Sequence, residues 1–561
     1  MTHAFLRDAF WGTIINRLSG YKWFAHKEEE PGYVIPEKYL SKPQSLKSTT
    51  NIAFDKEQID EIKQIDEDVI ESSSSYPKAS DDDDLIIVTW DGDDDPACPY
   101  NWPLYQKLIL LGEVAFLVVS VYMASAIYTP GVDQIMSQFN VNQTIATLPL
   151  TTFVVGYGIG PMFLSPVTEN AAIGRTLVYS ITLFIFFILQ IPTALSANIT
   201  GLCILRFISG FFASPALATG GATIGDVITG PYMPVGLASW AIGGVMGPSL
   251  GPLIGAVLVV RGGHDGYESW RWPFWFMAII SGTCFLVLGW ALPETYGKAL
   301  LYRKAERLRR ITGNKNITSE GHIENSKLTP RELAIDTLYR PFQITLIEPM
   351  VLASNLYIAL AYSVMYIWFE AFPIVFVEIH HFTLVEMGVT YVSIMVGIGI
   401  GAGIYVPYMY FNYTKKVLQG QTFTPEHFLP MAIFGAICMP VGIFIFAWTS
   451  SPDIHWIGPL FGGGIFSCGA FIIFQTLFAY LGSSFPRYLA SVFASNALFR
   501  SDIAGCFPLI GKPLFTNLGS EKYPVGWGSS VLGFIAVVMI IIPVFFYVRG
   551  PQLRARSRYA N

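Results

Sequence analysis

Charged side chains inside long apolar stretches are the first residues of this sequence that could do chemistry. They are Glu113, Arg206, Glu370 and Arg500. A charge at the centre of a bilayer costs about 2.5–3.5 kcal/mol on insertion scales, so it usually faces a polar cavity and serves a function. Arg206 stays protonated and could hold a nearby carboxylate in its ionised form. We therefore predict that Arg206 and Glu113 couple the protein to proton movement.

Simpler interpretations of this pair stay open. Arg206 could be a structural residue that bonds backbone carbonyls. Glu113 lies only about seven residues, or roughly 10 Å, into its apolar segment, where water could reach it. Contact between the two side chains would need a water bridge or a bent helix, because their expected depths differ.

A second set of residues has helical spacing that predicts a binding pocket. Tyr362, Tyr366 and Glu370 are spaced by four, as are Asn496 and Arg500, so each set lies along one helix face. Aromatic rings beside one acid suit large, flat, weakly basic or neutral molecules. We predict that these five residues line a substrate pocket. The alternative is that the tyrosines only pack between helices.

Other reactive residue types lack the spacing that catalysis would need. His380 and His381 are adjacent and cannot share a helix face, and the six cysteines are scattered as small apolar residues. Gly511-Lys512 is followed by Pro513 and has Cys506 where a phosphate-binding loop begins with glycine. We therefore expect no metal site, no cofactor, no ATP-driven pump and no enzyme.

The composition places these residues in a membrane protein. The 561 residues have a mean hydropathy of +0.45 and are 52% hydrophobic but only 14% charged, whereas soluble domains carry about a quarter charged residues. The charge is uneven, because residues 1–104 hold 21 acids and 10 bases while residues 105–561 hold 20 acids and 25 bases. An acidic tail therefore precedes a long apolar region.

Apolar segments long enough to cross a bilayer predict an all-α polytopic membrane protein. They suggest twelve transmembrane helices in two six-helix bundles separated by a polar loop. The segments lie near 106–128, 144–166, 174–194, 199–221, 234–258, 273–292, 349–371, 385–408, 429–449, 457–480, 489–511 and 526–548. The predicted units are a tail (1–104), a first bundle (105–292), a central loop (293–345), a second bundle (346–548) and a basic tail (549–561).

Basic residues predict the orientation of these bundles. Ten Lys or Arg lie in 293–345 and four in 549–558, against four in the loops on the other side, which places both termini in the cytoplasm. The amino-terminal tail has an amphipathic helix pattern near 5–22, which could lie on the inner leaflet or on the protein's own cytoplasmic face. Residues 41–95 are acidic and polar, and we expect disorder there.

Short motifs resemble those of a known family. Gly160, Glu169, Gly174 and Arg175 resemble the signature loop of the major facilitator superfamily, although Thr176 stands where a second arginine often follows. Arg206 with Gly210 resembles its membrane-arginine motif. A stripe of small residues resembles the antiporter motif of its drug:proton exporters: Gly243, Gly247, Pro248, Gly251, Pro252 and Gly255. The resemblance implies a major facilitator fold, and a gate formed by Glu169, Arg175 and Asp226 that favours an outward-facing state.

The match is closer to the fungal twelve-span drug:proton antiporters, and within them to the yeast benomyl, methotrexate and fluconazole resistance transporters. VTWDGDDDP (88–96), TGNKNITSEG (312–321) and FRSDIAGCFPL (499–509) carry this resemblance. It implies a proton-coupled multidrug efflux antiporter of the plasma membrane that exports azole, benzimidazole and cycloheximide-like compounds.

The resemblance also defines the expected partners. We expect small-molecule drugs, protons and the lipid bilayer, no nucleic acid, and a monomer. The alternative function is proton-coupled transport of a natural metabolite such as a polyamine or organic acid.

Overall fold

The computed structural model describes residues 2–30, 32–36, 39, 85–262, 269–327, 335, 339–485 and 488–560. These residues are mostly helical, as the apolar runs predict. The long helices, numbered along the chain, are α1 Leu104–Tyr122, α2 Gln143–Thr168, α3 Arg175–Ala194, α4 Ile199–Ala218, α5 Met233–Arg261, α6 Trp272–Ala291, α7 Pro349–Phe372, α8 Val392–Met409, α9 Leu429–Thr449, α10 Ile457–Ser484, α11 Leu489–Leu518 and α12 Gly526–Met539.

Shorter elements connect or extend these helices. A π-helical stretch, Pro373–Ile379, prolongs α7, another, Tyr410–Thr414, prolongs α8, and Ile541–Arg556 continues α12. Two short strands, Ile86–Ile87 and Ile317–Thr318, pair in parallel. The remaining short α-helices are Thr2–Arg7, Phe10–Leu18, Val132–Phe139, Gly220–Gly225, Gly297–Thr312, Glu320–Lys327, Arg340–Ile347, Leu384–Thr390 and Lys415–Leu418.

Eleven helical stretches of the described residues are long and apolar enough to cross a membrane. α11 is not among them. It has 30 residues and carries Arg500, Asp502 and Lys512. The all-α polytopic architecture is therefore confirmed, whereas α11 as a twelfth span stays a prediction.

The long helices pack in two groups. Within the first, α2 packs on α4, α3 on α6 and α1 on α5; within the second, α9 packs on α10, α7 on α11 and α8 on α10. α2 with α11, and α5 with α8, join the groups. Buried aromatic rings also meet between the two groups: the ring centroids of Trp240 on α5 and Phe474 on α10 lie 6.5 Å apart.

The amino-terminal residues dock on the protein itself. The amphipathic pattern near 5–22 forms two helices, which break where Ala9 forms a β-bridge with Pro293. Trp11 packs edge-on against Phe285 of α6. Residues 40–84, most of the stretch expected to be disordered, lie outside the described residues. Residues 85–95 were included in that expectation, but Val88 is buried and Ile86 is in a strand.

We call the end of the molecule that carries residues 2–30 and the Arg554–Glu426 ion pair the terminal face. The opposite end, which carries Asp133, Gln143, Glu378 and Lys512, is the far face.

Candidate transport site

An arginine among aromatic rings lies at the junction of the two helix groups. Arg500 of α11 is 2% exposed, and its guanidinium carbon lies 4.7 Å from the ring centroid of Tyr362 and 5.1 Å from that of Phe474. These distances are within cation–π range. The second group thus contributes α7, α10 and α11 to one cluster.

The first group completes this cluster. The hydroxyl of Tyr157 on α2 lies 3.2 Å from that of Tyr366 on α7, and the ring of Tyr157 lies 5.2 Å from that of Tyr122 on α1. The structure therefore brings Tyr362, Tyr366 and Arg500 together, as their spacing suggested, and adds Tyr122 and Tyr157. We name these five residues with Phe474 the aromatic–arginine cluster.

Glu370 lies one helical turn beyond Tyr366, toward the far face. Its carboxylate accepts hydrogen bonds from Gln143 Nε2 at 2.6 Å and Thr147 Oγ1 at 3.1 Å, both on α2. It lines a cavity of about 570 Å³ on the far face, together with Asp133, Lys512 and others. Glu370 thus connects the two helix groups by hydrogen bonds at the base of this cavity.

Asn496 is buried away from that cavity. Its side-chain amide donates to Asn355 Oδ1 at 2.9 Å, and Asn355 donates to Ser495 Oγ at 3.2 Å. These bonds tie α7 to α11. The structure therefore places Asn496 in a helix contact one turn from Arg500.

Arg206 of α4 is fully buried and bonds the backbone. Nε donates to the Pro149 carbonyl at 3.2 Å, and Nη2 donates to the Ser125 carbonyl at 3.0 Å. Its guanidinium also stacks on Phe153, 4.2 Å from the ring centroid. The described contacts do not join it to Glu113, whose Oε2 is buried without a hydrogen-bond partner among the described residues.

The stripe of small residues on α5 faces α1 and the turn that follows it. A Cβ added at Gly247 would lie 2.7 Å from the Cβ of Tyr122, and one at Gly251 would lie 2.9 Å from the Met123 carbonyl oxygen. A Cβ at Gly255 would collide with the Ile127 carbonyl oxygen. A Cβ at Gly243 would lie 3.3 Å from the Ala115 carbonyl oxygen. Since Tyr122 belongs to the aromatic–arginine cluster, this stripe also positions the cluster. Pro248 and Pro252 lie inside α5 beside these glycines.

A polar network closes the terminal face. Arg175 pairs with Asp226, with Nε to Oδ2 at 2.6 Å, and Thr295 Oγ1 donates to the same oxygen at 3.0 Å. Burial raises the pKa of Asp226 to about 6, against the opposing effect of Arg175. Burial also raises the pKa of Glu169. Gly160 lies apart from this network, where α2 packs on Ser214 of α4.

Glu294 is the network member that sequence reasoning did not assign to the gate. Its carboxylate is fully buried and accepts from the Arg175 backbone N–H at 3.0 Å and from Arg303 at 3.1 Å. Gly174, at φ +80°, leaves no room for a side chain beside this carboxylate, which explains the glycine there. The sequence feature that could have identified Glu294 is an acidic residue directly after the sixth apolar segment.

The family follows from comparison with known proteins. The family model described as Major Facilitator Superfamily matches residues 114–508. The chain belongs to this superfamily. The proton:xylose symporter XylE, a superfamily member of known structure, superposes with a TM-score of 0.55 at 14% identity, covering 79% of this chain and 96% of that one. This likeness concerns the fold alone.

Full-length relatives in fungi narrow the family, and the predicted resemblance is confirmed by them. A cycloheximide resistance protein of Candida maltosa is 60% identical over 558 residues, 99% of this chain and 100% of that protein. Fluconazole resistance protein 1 of Saccharomyces cerevisiae is 42% identical over 84% of this chain and 85% of that protein. Multidrug transporter FLR1 of Candida glabrata is 44% identical, with 84% and 83% covered.

Asp502 is a further residue of this superfamily member that sequence reasoning missed. It lies on α11 beside Gly158 of α2, where a Cβ on the glycine would lie 2.6 Å from Oδ1. That oxygen is buried without a hydrogen-bond partner among the described residues. An acid in the middle of an apolar run, two residues after Arg500, was the signal that could have identified it.

Proposed function

We propose that this protein exports structurally diverse toxic compounds, antifungals included, across the plasma membrane in exchange for protons. The observation that carries this proposal is the 60% identity, over nearly the whole of both chains, to a protein named for cycloheximide resistance. Transport rather than catalysis is the activity known for the superfamily.

The aromatic–arginine cluster supports a substrate path between the helix groups. Residues of α1, α2, α7, α10 and α11 contribute to it, so a rocking motion of one group against the other would open it to either side. Substrate sites at the interface between repeats are the rule in such transporters. Large aromatic walls accept flat molecules of varied outline.

We place both termini in the cytoplasm. Arg303, Lys304 and Arg307 lie in the central-loop helix on the terminal face, as the positive-inside rule requires of a cytoplasmic face. With this orientation the cavity on the far face opens to the cell exterior, and the Arg175–Asp226 network closes the cytoplasmic side. The conformation is then outward-facing.

We assign proton coupling to Glu113 and Arg206, with one chain acting as a monomer. Glu113 is the side chain that exchanges the proton, because its Oε2 has no partner in the described part of the chain. Arg206 positions α2 and the turn after α1, because it donates a hydrogen bond to one backbone carbonyl of each. Proton release from Glu113 would then act on α1, the helix that also carries Tyr122 of the aromatic–arginine cluster.

Efflux from energised cells tests the function. One pH unit supplies about 1.4 kcal/mol per proton, and 100 mV supplies about 2.3 kcal/mol per net charge moved. We expect export of an azole and of cycloheximide to stop when a protonophore is added while cellular ATP stays constant. Export that continues unchanged contradicts the proposal. Export restricted to spermidine or citrate in the same assay would establish the metabolite function instead.

A further inference from the structure

Arg500 is a buried cation with donor nitrogens that lack hydrogen-bond partners among the described residues. Its Nε and Nη1 are buried and have no hydrogen-bond partner among the described residues. Buried polar groups almost always have partners, and a buried charge is normally paired. Arg206 is equally buried, but its Nε and Nη2 donate to two carbonyls, and only its Nη1 lacks a partner among the described residues.

The surroundings of Arg500 supply rings instead of carboxylates. Its guanidinium carbon lies 4.7 Å from the ring centroid of Tyr362, and the hydroxyls of Tyr122, Tyr157 and Tyr366 also interact with its charge. Glu370 already accepts two hydrogen bonds from α2. Asp502 lies two residues further along α11, about 200° around the helix, and packs against Gly158. Arg500 therefore has no counter-ion among the described side chains of this cluster.

The rings that flank the Arg500 guanidinium also line an apolar crevice. Tyr362 and Phe474, the two rings under the guanidinium, also line a narrow apolar crevice with Val245 of α5 and Met365 of α7. A planar guanidinium fork suits a planar acceptor such as a carboxylate, and charge-assisted pairs are about twice as strong as neutral ones. The same fixed charge repels a cation in this dry environment.

We propose that Arg500 is the specificity-determining residue of this transporter, and that it binds the acceptor group of flat aromatic substrates. The compounds that this residue favours are aromatic molecules that bear a carboxylate or another planar acceptor, and permanent cations are disfavoured. This inference rests on the proposed function for the location of the substrate path. It changes the charge expected from the sequence, where aromatic rings beside Glu370 pointed to weakly basic or neutral compounds.

Two dyes with the same xanthene core test the selectivity. Fluorescein is anionic and rhodamine 123 is cationic at pH 7.4, and binding of each to the purified full-length chain can be measured by fluorescence polarisation. We expect fluorescein to bind at least tenfold more tightly than rhodamine 123. Arg500→Gln should weaken fluorescein binding by tenfold or more and leave rhodamine 123 binding equal or tighter. Arg500→Lys, which keeps the charge without the fork, should give an intermediate affinity.

Controls separate this site from general charge effects and from misfolding. Lys415→Gln removes one exposed positive charge far from the cluster and should leave both affinities unchanged. A wild-type protein that binds rhodamine 123 as tightly as fluorescein overturns the inference without any variant, and so does one that binds neither dye. Folded Arg500→Gln protein with unchanged fluorescein affinity also overturns it. Loss of gradient-driven efflux with the dye preference intact contradicts the proposed function alone.

Discussion

Arg206 shows at the residue scale how a membrane arginine can bond backbone carbonyls in place of an acid. Its bonds to the Pro149 and Ser125 carbonyls connect α4 to α2 and to the turn after α1. This geometry matches the structural alternative that the sequence left open. It also makes Arg206 a positioning residue for α1, the helix of Glu113, which stays consistent with a role in coupling.

Two replacements of Arg206 should therefore distinguish the role of its charge from the role of its hydrogen bonds. Arg206→Ala removes two hydrogen bonds from a charged donor, worth about 1.5–3 kcal/mol each, and we expect lower thermal stability and loss of proton-coupled efflux. Arg206→Lys can reach one carbonyl and should keep part of both. Arg261→Ala, at an exposed position, is the matched control. Full efflux activity in Arg206→Ala would show that these bonds are dispensable.

Asp226 predicts a pH dependence at the terminal face. Burial raises its folded-state pKa to about 6 from 3.8, so the folded protein binds more protons than the unfolded chain between these values. Stability contributed by this group is therefore present at low pH and is lost as the pH rises through about 6. A shift of about two units corresponds to roughly 3 kcal/mol.

The measurement for Asp226 is thermal unfolding as a function of pH. The difference in Tm between wild type and Asp226→Asn should shift against the wild type as the pH rises from 4 to about 6. A Tm difference that stays constant across this range would contradict the raised pKa. Efflux assays at the same cytoplasmic pH values would show whether protonation of Asp226 also loosens the Arg175 pair.

At the scale of elements, the glycine stripe on α5 makes a prediction with a control in another helix. Gly247→Leu and Gly251→Leu would drive a side chain into Tyr122 and the Met123 carbonyl, so export should fall at least tenfold while protein still reaches the cell surface. Gly403→Leu on α8 meets open space and should transport normally. Normal transport by the α5 variants would show that the glycine stripe only packs against α1 and has no role in transport.

The docked amino-terminal segment makes a second prediction at this scale. Glu28 pairs with Arg307 at 3.4 Å, and Glu29 pairs with Arg310, so acids of the segment cover the basic helix Gly297–Thr312. Glu28→Arg should release the segment, and the double variant with Arg307→Glu should restore docking. Limited proteolysis of residues 2–30 measures this, with Lys22→Glu at an exposed position as control. Equal cleavage in all four proteins would show that the pair does not hold the segment.

For the molecule as a whole, the proposed orientation makes a prediction, because it turns the cavity at the far face toward the cell exterior. In intact cells, Asp133→Cys on the cavity wall should react with a membrane-impermeant maleimide. Lys415→Cys, exposed in the connection from α8 to α9, should react only after permeabilisation. Cys506→Ser removes an exposed native thiol. The reverse labelling pattern would invert the proposed orientation.

Much of the fold was readable from the sequence. Helices and their lengths follow from apolar runs, because a chain in lipid must satisfy its backbone internally. Neighbours on one helix face follow from the 3.6-residue period, which correctly grouped Tyr362 with Tyr366 and placed Arg500 on a face with Asn496. The family motifs supplied the glycine stripe and the gate loop.

Only the tertiary structure decided which helix each side chain meets. Arg206 bonds carbonyls that every residue possesses, so no sequence pattern can reveal such partners. Asn496 pairs with Asn355, and Glu370 pairs with Gln143 and Thr147, because of how α7 crosses α11 and α2. The sequence by itself determined the polytopic helical class, the charges within the apolar segments and the family. The crossings between helices, which residue spacing does not specify, decided that Arg500 has aromatic rings around it and no acid beside it among the described side chains.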